Sequence, residues 1–141
     1  MAIAWQFEAE TTQQTEAALD RVIREGAVVP SVWRLEVANA LRMAVRRKRC
    51  SDAEVDDAVT QLLDLSIEDD RETAVHAWTT TLRLAVDHSL TLYDAAYLEL
   101  AVRLRLPLAS CDRDLIAGHS ISLDWYDVLV QLHDAGGERT M

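Results

Sequence analysis

The chain has 141 residues, with 14 Lys or Arg against 24 Asp or Glu, giving a formal net charge of −10 at pH 7. Half of it is apolar, which excludes a disordered acidic tail and suffices for the buried core of one domain over 1–141. No apolar run approaches the roughly 18 residues of a membrane span, and Met1-Ala2-Ile3-Ala4-Trp5 lacks the start of a signal peptide. The expectation is a soluble, cytoplasmic protein. The acidic balance argues against holding nucleic acid by bulk charge. It leaves room for an enzyme that meets nucleic acid through metal ions held by local carboxylates.

In chain order, the first predicted helix covers 12–25, with Ala17, Leu19, Val22 and Ile23 as its apolar positions and Gly26 as its stop. Residues 27–30 form a short apolar run ending in Pro30, a candidate buried strand. Ser31 is placed to cap a helix to about residue 47, whose inner face is Val37, Ala40, Leu41, Ala44 and Val45. Ser51-Asp52-Ala53-Glu54 reads as a capping box opening a helix to about residue 65. Residues 66–68 suggest a short edge strand, and Asp70 a cap for a helix over 71–88 carried by Ala74, Val75, Trp78, Leu82 and Val86. Trp33 and Trp78, on helical stripes, read as core residues. Thr91 starts a helix to about residue 104. A small apolar strand over 107–111 runs into the acidic turn Asp112-Arg113-Asp114, and a last strand covers 121–123. Gly136-Gly137 marks a frayed tail. Strands alternating with amphipathic helices predict an α/β fold with a mainly parallel sheet, in which functional residues gather at the carboxyl ends of strands.

Cys50 and Cys111 have no ligand-type neighbours, and the four His show no zinc spacing with them, so inert thiols are expected. Arg42, Arg46, Arg47, Lys48 and Arg49 form the one strong basic cluster, read either as a solvated helix end or as an RNA contact through Arg46, Arg47 and Arg49. Three acids lie beside apolar positions: Glu36, Asp94 and Asp112. Each has a plainer reading. Glu36 balances Arg34 or a helix dipole, Thr91-x-x-Asp94 is a capping box, and Asp112 with Asp114 are turn residues. Brought together, buried carboxylates repel, and a divalent cation with oxygen ligands, Mg²⁺ or Mn²⁺, relieves them. Such ions suit attack on a phosphodiester.

At this point the motifs match a family. Val29-Pro30-Ser31-Val32-Trp33-Arg34-Leu35-Glu36-Val37-Ala38-Asn39-Ala40-Leu41, Leu90-Thr91-Leu92-Tyr93-Asp94-Ala95-Ala96-Tyr97-Leu98-Glu99-Leu100-Ala101 and Leu106-Pro107-Leu108-Ala109-Ser110-Cys111-Asp112-Arg113-Asp114-Leu115 resemble, in order and spacing, PIN-domain toxins of the VapC type. The resemblance implies a three-layer α/β/α fold and a Mg²⁺- or Mn²⁺-dependent endoribonuclease, the toxin of a toxin–antitoxin pair. It further implies neutralisation by a cognate antitoxin and a homodimer. The family's second, third and fourth acids map onto Glu36, Asp94 and Asp112. Asp114 maps as an auxiliary metal ligand, and Ser110 and Asn39 as positions that orient the site. Members begin with an apolar strand ending in Asp, followed by a small residue and Ser. Here Met1 stands just after where that Ser would be, so three acids are expected where the family uses four. Ile3, Trp5 and Phe7 alternate, so this segment is a candidate to fill the first strand's place, whereas Glu8 and Glu10 do not replace the lost Asp. A start codon placed too late and a decayed member are the two accounts, separated by the codons upstream of Met1. The competing functional readings are a catalytically impaired PIN protein that only binds an antitoxin or partner, and a structural helical domain in which Asp94 and Asp112 are caps.

Overall fold

A computed structural model describes residues 13–108. Helix α1 (Gln13–Glu25) leads through Gly26 into strand β1 (Ala27–Val29). Gly26 ends the helix with φ +76°, in the left-handed region, and a Cβ there would lie 2.9 Å from the Ser66 carbonyl oxygen. Only glycine meets both demands. Helix α2 (Trp33–Arg46), helix α3 (Asp52–Leu63) and strand β2 (Ile67–Asp69) follow. The two strands pair in parallel with Ala27 opposite Ile67 and Val29 opposite Asp69. The Asp70 N–H donates to the Val29 carbonyl at 2.8 Å and so extends the ladder by one bond. Next come the short helix α4 (Thr73–His76), a π-helical turn (Ala77–Thr81) and helix α5 (Leu82–Asp87), which form one continuous run, and then helix α6 (Leu92–Leu104).

The predicted α/β architecture with a parallel sheet is what the described residues form. Several caps follow the expected chemistry. The Ser51 hydroxyl accepts the Glu54 N–H while the Glu54 carboxylate accepts the Ser51 N–H, the reciprocal pair predicted for α3. Those bonds from Ser51 hold the Glu54 carboxyl below its usual range. Thr91 caps α6 by accepting the Asp94 N–H at 3.1 Å. Ser31 does not cap α2: Val32 stands at that position without a side-chain bond, and the Ser31 N–H instead donates to the Thr73 hydroxyl at 3.1 Å. Asp70 likewise does not cap the next helix, which Glu72 precedes without a capping bond; its carboxylate accepts from Thr73 and Arg103 instead. Both residues were recruited into longer-range contacts.

Two apolar clusters form the core. One joins Val29, Trp33, Val37, Leu41, Ala58 and Leu62, uniting β1, α2 and α3. The other joins Leu98, Ala101 and Leu108. The Tyr97 ring packs against both. Trp33 is buried as expected, but Trp78 is not. Val75, Trp78, Leu82 and Val86, predicted to face inward, are 70, 88, 47 and 72% exposed. The run over 73–87 turns its small residues inward instead: Thr81 and Ala85 are buried and Ala77 half-buried. Small side chains let this run approach α6, whose Ala95, Ala96 and Ala101 are also buried. Bulky residues on the contact face would force the two backbones apart. The strand expected over 107–111 reaches the described residues only at Pro107 and Leu108, which are irregular. The acidic turn, the strand over 121–123 and the tail lie outside the described residues.

Candidate active site

Two helix starts make the site. The turn after β1 is closed by a bond from the Trp33 N–H to the Pro30 carbonyl at 2.9 Å. It launches α2 with Glu36 in its first turn, where the positive end of the helix dipole favours a carboxylate. Thr91 launches α6 with Asp94 in its first turn. The Thr91 hydroxyl also donates to Asp94 Oδ2 at 2.8 Å. The two residues therefore exchange bonds, and Asp94 takes part in the capping arrangement that its spacing suggested, with its second oxygen left for other partners.

Tyr97 joins the two starts. One turn along α6 from Asp94, its hydroxyl donates to Glu36 Oε2, across 61 positions of sequence. Burial of the phenol, the bond to Glu36 and the charges of Glu36 and Asp94 together push the Tyr97 hydroxyl far above its ordinary pKa. It stays protonated and remains a donor. The bond ties the first turn of α2, with Glu36, to α6, where Asp94 stands one turn before Tyr97. Glu36 itself is solvent-exposed, where a position beside the apolar stripe was expected, and Asp94 is half-buried. The plainer reading in which Glu36 balances Arg34 is not what forms. Arg34 Nε donates to Asp69 Oδ2 at 2.7 Å, and its guanidinium lies 5.8 Å from the centre of the Trp33 ring.

Asn39 is exposed on α2, close to one turn from Glu36. Arg46, Arg47 and Arg49 are exposed at the opposite end of the same helix, about 15 Å from Glu36 along the axis at 1.5 Å per residue. The acids and the basic cluster therefore share a helix but not a corner. Ser110, Asp112 and Asp114 lie outside the described residues. Among the described residues no three His, Cys, Asp or Glu side chains converge as a cation cage. The donor chemistry that Glu36 and Asp94 offer is nevertheless that of a hard cation: carboxylate oxygens, with one position on each already fixed by a neutral hydroxyl.

Sequence reasoning missed Tyr97 as a polar participant, because its spacing also fits the apolar stripe of α6. It also missed an ionic cluster behind the site. Arg103, on α6, bonds Glu99 at 2.9 Å, Asp70 at 2.8 Å and Glu72 at 3.4 Å. His76 lies 3.4 Å from Glu72 and 3.9 Å from Glu99. The Asp70 and Glu99 side chains are only 8 and 5% exposed. The bond to Glu99, opposed by burial and reinforced by Asp70, pushes the guanidinium pKa further up. At Asp70, burial works to raise the carboxyl, but bonds from Arg103, Thr73 and the Glu72 backbone outweigh it and hold the group below its usual range. The i,i+4 spacings of Glu99 with Arg103 and of Glu72 with His76 are the signals of this cluster in the sequence.

Comparison with known proteins gives a single result. The family model described as the PIN domain matches residues 1–118. No curated protein and no solved structure matches the chain significantly. No helix among the described residues is long and apolar enough to cross a membrane.

Proposed function

Because the chain belongs to the PIN-domain family, whose fold is generally that of a metal-dependent nuclease, we propose that it is a Mg²⁺- or Mn²⁺-dependent endoribonuclease, the VapC-type toxin of a toxin–antitoxin pair. The observation that carries this reading is the bond from the Tyr97 hydroxyl to Glu36, which ties the first turn of α2 to α6, where Asp94 stands one turn before Tyr97. Glu36, Asp94 and Asp112 would hold the ion, with Asp114 as an auxiliary ligand. When bound, the ion supplies an activated water and neutralises charge developing on the phosphate.

The remaining roles belong to the chain. Tyr97 occupies one oxygen of Glu36 and leaves the other for a cation. Thr91 does the same for Asp94. Both carboxylates are thereby oriented before an ion arrives, which lowers the ordering cost of binding it. Asn39 and Ser110 are auxiliary positions that orient the site. Arg46, Arg47 and Arg49, at the far end of α2, attract the RNA backbone by charge. A small antitoxin neutralises the toxin in the cytoplasm.

The test is cleavage of a structured RNA by this chain with Mn²⁺ and with EDTA, beside Glu36→Gln and Asp112→Asn. Metal-dependent cleavage that both substitutions abolish, with far-UV circular dichroism unchanged, is the expected result. A folded chain that cleaves nothing in Mn²⁺ while still binding an antitoxin would replace the nuclease reading by one of binding alone. Cleavage that survives Glu36→Gln would remove that residue from the site.

A further inference from the structure

Each of the two acids that the structure places is preceded by an exposed apolar side chain: Leu35 before Glu36, 74% exposed, and Tyr93 before Asp94, 60% exposed. Holding a hydrated cation asks for oxygen donors and gives neither neighbour a part. Tyr93 also shares a helical face with Tyr97, four residues on. Tyr97 is half-buried, packs against both core clusters and reaches Glu36. One turn nearer the start of α6, the same face emerges into solvent at Tyr93. A large ring in water therefore stands at the open end of the face that makes the Glu36 contact, one residue from Asp94.

A ligand that brings both a phosphate for an ion and a flat apolar face for a ring is a nucleotide. We propose that Tyr93 is the stacking platform for the base that flanks the phosphate held at Glu36 and Asp94. This rests on the nuclease reading. Every base has a π-face, so such a platform accepts all four, with a preference set by stacking strength that favours purines. The contact also suits an acidic chain. Glu36 and Asp94 repel the RNA backbone until an ion is bound, and the basic cluster lies at the far end of α2. Stacking supplies affinity beside the acids that owes nothing to positive charge.

The experiment is binding of a labelled single-stranded RNA oligonucleotide to the full chain, by fluorescence anisotropy with Ca²⁺ in place of Mn²⁺. Tyr93→Ala is expected to weaken binding about tenfold, the usual scale for one stacked base. Tyr93→Phe restores the affinity to within about twofold, because a phenyl ring stacks as a phenol does. The circular dichroism spectrum is unchanged in both, since the side chain replaced is already mostly in water. The loss has the same size at low and high salt, because stacking releases no counterions. A scan with abasic nucleotides finds one position that costs the wild type as much as Tyr93→Ala and costs that variant nothing further. A merely structural tyrosine would not single out one nucleotide. Binding indifferent to Tyr93→Ala, a loss that Tyr93→Phe does not restore, or no abasic position coupled to it overturns the proposal, whether or not Mn²⁺ supports cleavage. A chain that binds no RNA in Ca²⁺ also overturns it. Binding through Tyr93 by a chain that cleaves nothing in Mn²⁺ upholds the base platform and removes the nuclease reading.

Discussion

Replacing Arg103 by Met tests whether the ionic cluster behind the site is held by its one central cation. Met fills most of the side-chain volume but leaves Asp70 and Glu99, 8 and 5% exposed, without the partner that offsets their desolvation. Removing one member of a buried pair costs about 3–5 kcal/mol, chiefly as the penalty on the charge left behind. The Glu72 branch adds little, because that carboxylate is mostly in solvent. About 3 kcal/mol is the expectation at pH 7, since Arg103 itself keeps some contact with water. The pH dependence has a definite sign. In the native chain Asp70 has a folded pKa below its unfolded value, so its contribution is complete above the unfolded value and is lost only as pH falls through the lower, folded one. In the variant, burial without a cation pushes the folded pKa of Asp70 upward, so the cost is greatest at neutral pH and fades as pH falls toward about 4. Urea denaturation at pH 7 and at pH 4.5 measures both quantities. A loss under about 1 kcal/mol at pH 7, or a loss of equal size at both pH values, would refute the reasoning. Adding Glu99→Met and Asp70→Asn to Arg103→Met should recover most of the stability.

Tyr97→Phe removes the donor that orients Glu36 and should weaken Mn²⁺ binding several-fold by calorimetry, the cost of a bond to a charged group being about 1.5–3 kcal/mol before solvent replaces it. Thr91→Ala deletes the α6 cap and should cost about 1 kcal/mol in thermal or urea unfolding, while also releasing Asp94 and reducing Mn²⁺ affinity. Stability lost with metal affinity unchanged would assign Asp94 to capping alone. Gly26→Ala forces a side chain into the left-handed region and against the Ser66 carbonyl, so about 1–3 kcal/mol should be lost in the same unfolding assay.

Much of the local structure could be read without coordinates, because it depends on neighbours in sequence. The Ser51–Glu54 box, the Thr91 cap and the stop at Gly26 are each decided within a few residues by hydrogen bonding or backbone freedom. Glu36 and Asp94 also stood out, each near the start of a predicted helix. That one tyrosine would join them could not be read, since Tyr97 fits an apolar stripe as well as a polar role. Ser31 and Asp70 were assigned as caps by the same local logic, and there it failed. A helix that arrives from elsewhere, bringing Thr73 or Arg103, offers those groups partners that sequence distance hides.

Periodicity alone determined that 73–87 would be helical and amphipathic; only the tertiary structure decided which way it faces. Hydrophobic patterning identifies a stripe that avoids water without saying what covers it, whereas packing favours the face that lets two backbones come close. Here α6 offered alanines, so Ala77, Thr81 and Ala85 took the inner position and Trp78 was left outside. The buried charges of Asp70, Glu99 and Arg103 follow from the same contact, because the approach that excludes bulky side chains also brings three ionisable groups from two segments out of water together.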